Sequence, residues 1–141
     1  MVNMEKILAG YYIGDNVQLD LAHRKLSSLD SKSRQLNSFV FRETMLRLFL
    51  YLLNHANGKI VSNEQLLYHV WDLHGLKSSS QRLWQVMQAL KLRLAILGVE
   101  HDFIMRIETI QVKGYSLKPG MARPFYFYNE ENVNVSQFIS L

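Results

Sequence analysis

The chain has 141 residues, 48% of them hydrophobic and 20% charged, with seven Gly, two Pro and no Cys. That composition excludes collagenous, disulfide-framed and strongly disordered classes and predicts a globular domain that buries about two-thirds of its unfolded surface without a metal or disulfide staple. The formal net charge of +4 is unevenly spread: residues 1–72 hold eight Lys or Arg against seven Asp or Glu, residues 73–97 four against none, and residues 98–141 four against five.

Tyr11, Tyr12 and Ile13 precede the turn formers Gly14, Asp15 and Asn16, after which Val17, Leu19 and Leu21 alternate with Gln18 and Asp20. This is a strand, a turn and a half-buried strand. Residues 27–38 hold only Leu29 and Leu36 among seven Ser, Asp or Asn, and read as a loop. In residues 41–55 the spacing of Met45, Leu48, Phe49, Leu52 and Leu53 predicts a helix closed by Asn57-Gly58. Ile60-Val61 follows, then Ser62 as an N-cap with Glu64 and Gln65 in the first turn of a second helix, whose stripe Leu66, Leu67, Val70, Trp71 ends near Trp71. Residues 72–80 are a loop that supplies the next N-cap at Ser79 or Ser80.

A third helix over residues 81–97 directs Leu83, Val86, Met87, Leu90, Leu94 and Leu97 inward. Gln81, Gln85, Gln88 and Leu92 point the opposite way. Arg82, Ala89 and Arg93 flank one side of this outer face, and Trp84 and Lys91 the other. A solvated helix usually mixes Glu with Lys, whereas this one bears glutamines and bases only, which suits an anionic partner. After Gly98, Phe103, Ile104, Ile107 and Ile110 lead to a turn at residues 111–114 and a second strand at residues 115–117, a β-hairpin.

Three helices, the last one basic, followed by a hairpin make an α+β winged helix-turn-helix pattern, in which one helix enters the major groove of duplex DNA and the hairpin touches the adjacent backbone. The chain resembles the DNA-binding domain of OmpR/PhoB-type bacterial transcription regulators, within them the ToxR/CadC-like branch that lacks a phosphoacceptor domain. Gly58, Ile60-Val61-Ser62, Glu64, Leu66-Leu67, Val70-Trp71, Leu83, Met87, Leu90-Lys91, Leu94, Thr109-Ile110 and Lys113-Gly114-Tyr115-Ser116-Leu117 carry the resemblance, over residues 11–118.

The resemblance implies a small N-terminal antiparallel sheet, three helices and a C-terminal wing that bind double-stranded DNA. It puts Gln81, Arg82, Gln85, Gln88 and Lys91 at base- or phosphate-contacting positions, and Thr109, Lys113 and Tyr115 at backbone-contacting positions of the wing. Trp84 and Arg93 complete the expected DNA-binding set. The loop at residues 72–80 corresponds to a segment that in relatives touches RNA polymerase. The chain departs from the family at Lys91, where Arg is usual, at Ala89, Leu92 and Val112, where polar or basic residues are frequent, and at Glu108. Fewer phosphate contacts imply weaker nonspecific binding.

Trp71 lies on the apolar stripe and is expected in the core, while Trp84 is divided between packing and base stacking. His69, Asp72 and His74 match no standard zinc signature. With no G-x-S-x-G, Walker or Rossmann fingerprint, the residues point to a binding protein rather than an enzyme, with no cofactor, metal or small-molecule substrate implied.

Residues 1–118 are thus expected to form the winged-helix domain. Residues 119–141, with Phe125-Tyr126-Phe127-Tyr128, a polar turn at residues 129–132 and alternating Val133, Val135 and Phe138, read as an extension forming a hairpin. It packs back on the domain or meets a second copy or partner regulator. The most hydrophobic run, residues 39–53, carries Arg42, Glu43 and Arg47 and falls short of the roughly 20 apolar residues of a membrane span. No signal peptide is visible in residues 1–10. The expected location is cytoplasmic, and whether a longer chain continues past Leu141 into a membrane anchor, as in many ToxR/CadC-like relatives, stays open. A second reading, a winged-helix module binding another regulator through Trp84, Leu92 and the aromatic tail, rests on the poverty of bases on the outer face.

Overall fold

The protein, described by a computed structural model over residues 3–30 and 38–131, is an α+β winged helix. Its elements are β1 (Asn3–Ile13), β2 (Val17–Asp20), β3 (Lys25–Ser28), β4 (Ser38–Val40), α1 (Glu43–His55), β5 (Ile60–Ser62), α2 (Asn63–Leu66), α3 (Ser80–Ile96), β6 (Ile104–Glu108), β7 (Lys113–Leu117) and β8 (Ala122–Glu131). An antiparallel sheet in the order β4-β3-β2-β1-β8 joins the four strands that precede the helices to the C-terminal strand. A second sheet, β5-β7-β6, holds the wing.

Alternation in Val17–Asp20 buries Val17 and Leu19 against the helices and leaves Gln18 and Asp20 half-buried on the other face, as a half-buried strand requires. Of the segment read as loop, residues 27–28 and 38 are strand and residues 29–30 are not, while residues 31–37 lie outside the described residues. Lys25–Ser28 and Ser38–Val40 pair as β3 and β4, with Leu26 opposite Phe39. Ladder bonds and a single buried Leu26 suffice there, so little periodicity reaches the sequence.

α1 buries Leu48, Phe49, Leu52 and Leu53, and Phe49 makes edge contacts with Phe41 and Phe103. The Tyr11 hydroxyl donates to Asn54 Oδ1 at 2.7 Å, tying the first sheet to α1. The end of α1 also anchors the wing. The Ala56 carbonyl accepts from the Leu117 amide (2.8 Å), and the Gly58 amide, in a residue at φ 70°, donates to the Leu117 carbonyl (3.1 Å).

Ser62 forms the expected capping box, accepting from the Gln65 amide while Gln65 Oε1 accepts from the Ser62 amide. The second helix then departs from regular α geometry. Residues Leu67–Trp71 form a π turn and Asp72–His74 a 3₁₀ turn that ends at the left-handed Gly75. Arg47 of α1 donates to the Val70 carbonyl at 3.1 Å and pairs with Glu43, so the widened turn has a fixed partner. Val70 and Trp71 are buried beneath it, Trp71 in the core as expected. Ser79 caps α3 by accepting from the Arg82 amide. Gly98, at φ 94°, ends it with a Val99 amide to Leu94 carbonyl bond.

The C-terminal extension is not a hairpin folded on itself within the described residues. Ala122–Glu131 is one strand running antiparallel to β1 from Ile13↔Ala122 to Asn3↔Glu131, so residues 129–131 continue the ladder instead of turning. Val133, Val135 and Phe138 lie outside the described residues. No helix among the described residues is long and apolar enough to cross a membrane.

Candidate nucleic-acid interface

Burial along α3 follows the predicted stripe: Leu83, Met87, Leu90 and Leu94 are buried, and Val86 packs against the core from its edge. Gln81, Arg82, Trp84, Gln85 and Leu92 are exposed, and Gln88 is half-buried. Trp84 keeps 51% of its surface in solvent, so its ring is offered outward. The N-terminal half of the outer face is therefore amide-rich with flanking Arg82, and the C-terminal half is apolar, with Leu92 and Ile96 both more than half exposed. No carboxylate occurs from residue 73 to residue 97, and Lys77 stands exposed in the loop before the helix.

Two cations of the expected set are drawn away from this face. Arg93 lies with its guanidinium 5.5 Å from the Phe39 ring and 5.6 Å from the Phe41 ring. Its Nη1 is buried without a hydrogen-bond partner. Aromatic faces attract the cation and hold it between α3 and the first sheet. Lys91 is half-buried and lines a small cavity with Leu94, Glu100, His101, Phe103 and Ile104. Arg93→Met is accordingly expected to leave DNA affinity and its salt dependence unchanged and to shift stability by less than about 1.5 kcal/mol. An apolar side chain of similar length keeps the packing and removes a costly buried donor, offsetting the lost cation–π attraction. A filter-binding titration and a thermal melt check it; a lower salt slope would return Arg93 to the interface.

In the wing, the tip lies earlier than the apolar pattern suggests. β6 ends at Glu108, and residues 109–112 turn. The Thr109 amide and hydroxyl both donate to the Val112 carbonyl (2.9 and 3.1 Å), and the Val112 amide donates to Thr109 Oγ1 (3.0 Å). Ile110, read as strand, is instead fully exposed at the tip. Lys113 opens β7 opposite Glu108 rather than sitting in the turn, with its Nζ 3.9 Å from the Glu108 carboxylate, which Arg106 also approaches at 3.6 Å. Both bases remain exposed, and one carboxylate shared between them leaves the wing net positive.

Tyr115 is not a surface contact. It is 3% exposed, and burial pushes its phenol above the ordinary value. Gly114 likewise serves the interior. A Cβ there would lie 2.0 Å from the Val61 carbonyl oxygen, so glycine is what lets β7 close on β5. At the wing's root, Lys118 donates to Asp102 Oδ2 at 3.1 Å and holds that carboxyl below its usual value.

The surface thus gathers Gln81, Arg82, Trp84, Gln85, Gln88 and Lys77 on and before α3, with Arg106, Thr109 and Lys113 on the wing. Sequence reasoning missed Lys77 and Arg106; Lys77 was legible as a base within the acid-free segment, whereas Arg106 lies among Glu100, Asp102 and Glu108. No protein-family model matches the chain, and no curated protein matches its sequence. Among solved structures, the DNA-binding domain of E. coli CadC superposes with a TM-score of 0.57 at 12% identity, covering 89% of this chain and all of that one. At that identity the likeness is one of fold.

Proposed function

We propose that the protein binds duplex DNA, with the outer face of α3 in the major groove and the β6–β7 wing on the sugar-phosphate backbone, as a bacterial transcription regulator of the ToxR/CadC-like kind. The observation that carries this reading is an exposed recognition face of amides and bases without a carboxylate, on a fold shared with a DNA-binding domain. A major groove admits one α-helix, and a Gln side chain bonds bidentately to adenine N6 and N7, so Gln81, Gln85 and Gln88 favour A·T pairs. Arg82, Lys77, Arg106 and Lys113 neutralise phosphates without reading sequence.

Binding to duplex at a series of salt concentrations tests the proposal. With so few free bases, the log–log slope is expected on the order of −3 to −5, at about −0.9 per phosphate neutralised. Gln85→Ala should lose about 1–3 kcal/mol on the preferred site and leave random-sequence binding almost unchanged. Lys113→Ala should weaken binding by a similar factor on all sequences and lower the slope by about one unit. Equal loss on both DNAs with Gln85→Ala removes base readout from the proposal.

A second reading, a module that docks on another regulator, is favoured by one observation: Leu92, Ile96 and the wing-tip Ile110 are apolar and exposed. Binding that is indifferent to salt, or absent for DNA at low salt, selects it.

A further inference from the structure

The first sheet is longer on one side than the helices beneath it require. β2 covers β1 only from Gly10 to Ile13, whereas β8 follows β1 out to Asn3. Beyond Leu8, which still packs against the core, the two strands therefore extend from the domain as a ribbon. Its surface carries large apolar side chains, Met4 on β1 and Tyr126, Phe127 and Tyr128 on β8, all exposed, beside exposed Glu5, Lys6 and Asn129. The register shows that both faces share this character, since Tyr126 and Tyr128 lie on the side of Leu8 and Lys6, and Phe127 on the side of Ile7. Lys6 covers part of one face, with its Nζ 4.0 Å from the centre of the Tyr126 ring.

A two-stranded ribbon is marginal in water, and three or more strands are needed for independent stability. β8 is also an edge, paired with β1 alone among the described strands. An edge presents unpaired amides and carbonyls that template another strand, and proteins usually blunt it with central charges. Residues 125–128 of β8 carry none.

We propose that this edge is a homodimer interface, in which β8 pairs antiparallel with β8 of a second copy about a two-fold axis at Phe127. An isologous antiparallel pair must set one residue opposite itself, because neighbouring positions alternate between two hydrogen-bonding patterns. Centring on Phe127 brings Phe127 against its own copy and Tyr126 against Tyr128. The same register brings the basic start of the strand, Arg123, level with its acidic end, Glu131. Opposite charges at the two ends of one strand suit antiparallel self-pairing and oppose parallel pairing. Pro124 lacks an N–H, so the residues after it carry the ladder. The two ribbons then form one four-stranded sheet. The proposal is independent of the proposed DNA binding, whose residues lie on α3 and the wing rather than on β8.

The absence of Cys gives a clean test in the full chain. Facing residues of an antiparallel pair have Cα atoms about 4.5 or 5.5 Å apart, both within disulfide reach. Phe127→Cys is therefore expected to oxidise to a covalent dimer at least about 100-fold faster than Met4→Cys at micromolar protein, since alignment raises the local thiol concentration to the millimolar range. Met4 lies on the inner strand opposite residue 130, three strand spacings across and six residues along from its copy, or about 24 Å away. Sedimentation equilibrium of the unmodified chain should give a dimer, and Phe127→Asp a monomer that melts as the dilute parent does. A monomeric parent at high concentration overturns the proposal, as does cross-linking no faster at position 127 than at position 4. A monomer whose β8 amides are protected from exchange would mean that the chain covers the edge itself, and also overturns it.

Discussion

Gly114→Ala is expected to destabilise the fold by about 3 kcal/mol, which for a chain of this size lowers the melting temperature by about 10 °C. The cause is steric. The added Cβ would sit 2.0 Å from the Val61 oxygen, 2.8 Å from its carbonyl carbon and 2.9 Å from Ser62 Cα, all of them backbone. No rotamer relieves a clash with backbone, so β7 must separate from β5, and the register Val61↔Tyr115 and Ser62↔Gly114 is lost. That register positions the wing relative to the start of α2, so DNA affinity should fall with stability. Gly98→Ala is the control, because Gly98 has a positive φ but nothing within 4 Å of the new atom. Its cost is the left-handed backbone alone, about 1–2 kcal/mol. A thermal melt in which both variants lose the same amount would remove the close-approach argument.

Tyr115→Ala is expected to cost about 3–5 kcal/mol, the range for removing a buried aromatic ring. Tyr115→Phe should stay within about 1 kcal/mol of the parent and keep full DNA affinity. The ring pairs across the second sheet with Val61 on one side and Arg106 on the other, and it is buried. Its phenol is raised above the ordinary value by burial. A raised acid pKa in the folded state means that the unfolded chain ionises first, so the associated stability is complete below about pH 10 and is lost as pH rises through the folded value. The parent should therefore lose stability above about pH 10 relative to Tyr115→Phe. Loss of DNA affinity in Tyr115→Phe at an unchanged melting temperature would show a hydroxyl-to-phosphate bond and return Tyr115 to the interface.

The helices were legible because each is built from a strong local signal. α1 and α3 carry apolar stripes of period 3.6, and Ser62 and Ser79 cap their helices through bonds spanning three residues. What lies between α2 and α3 was less legible. The π turn at Leu67–Trp71 depends on Arg47, twenty-three residues before Val70, which no local pattern announces. The candidate interface divides in the same way. Helical geometry correctly turned Gln81, Gln85 and Leu92 outward, whereas Arg93, on the flank of the helix, was captured by Phe39 and Phe41 from another element.

The sequence by itself determined the order of the three helices, the inward stripe of α3, the absence of acid from residues 73–97, and the hairpin that follows. These depend on residue type and spacing over a few turns, which a linear reading contains. Only the tertiary structure decided where the wing turns, since Thr109 and Val112 close it by mutual hydrogen bonds while Ile110, apolar enough to look like strand, is left at the tip. It also assigned Gly114 to close packing against Val61, Tyr115 to the interior, and residues 122–131 to one long strand on β1. Each of these outcomes joins residues about fifty to more than one hundred positions apart or rests on which bonds close a turn. The free energy that selects them comes from the partner brought alongside, and a one-dimensional pattern does not name that partner.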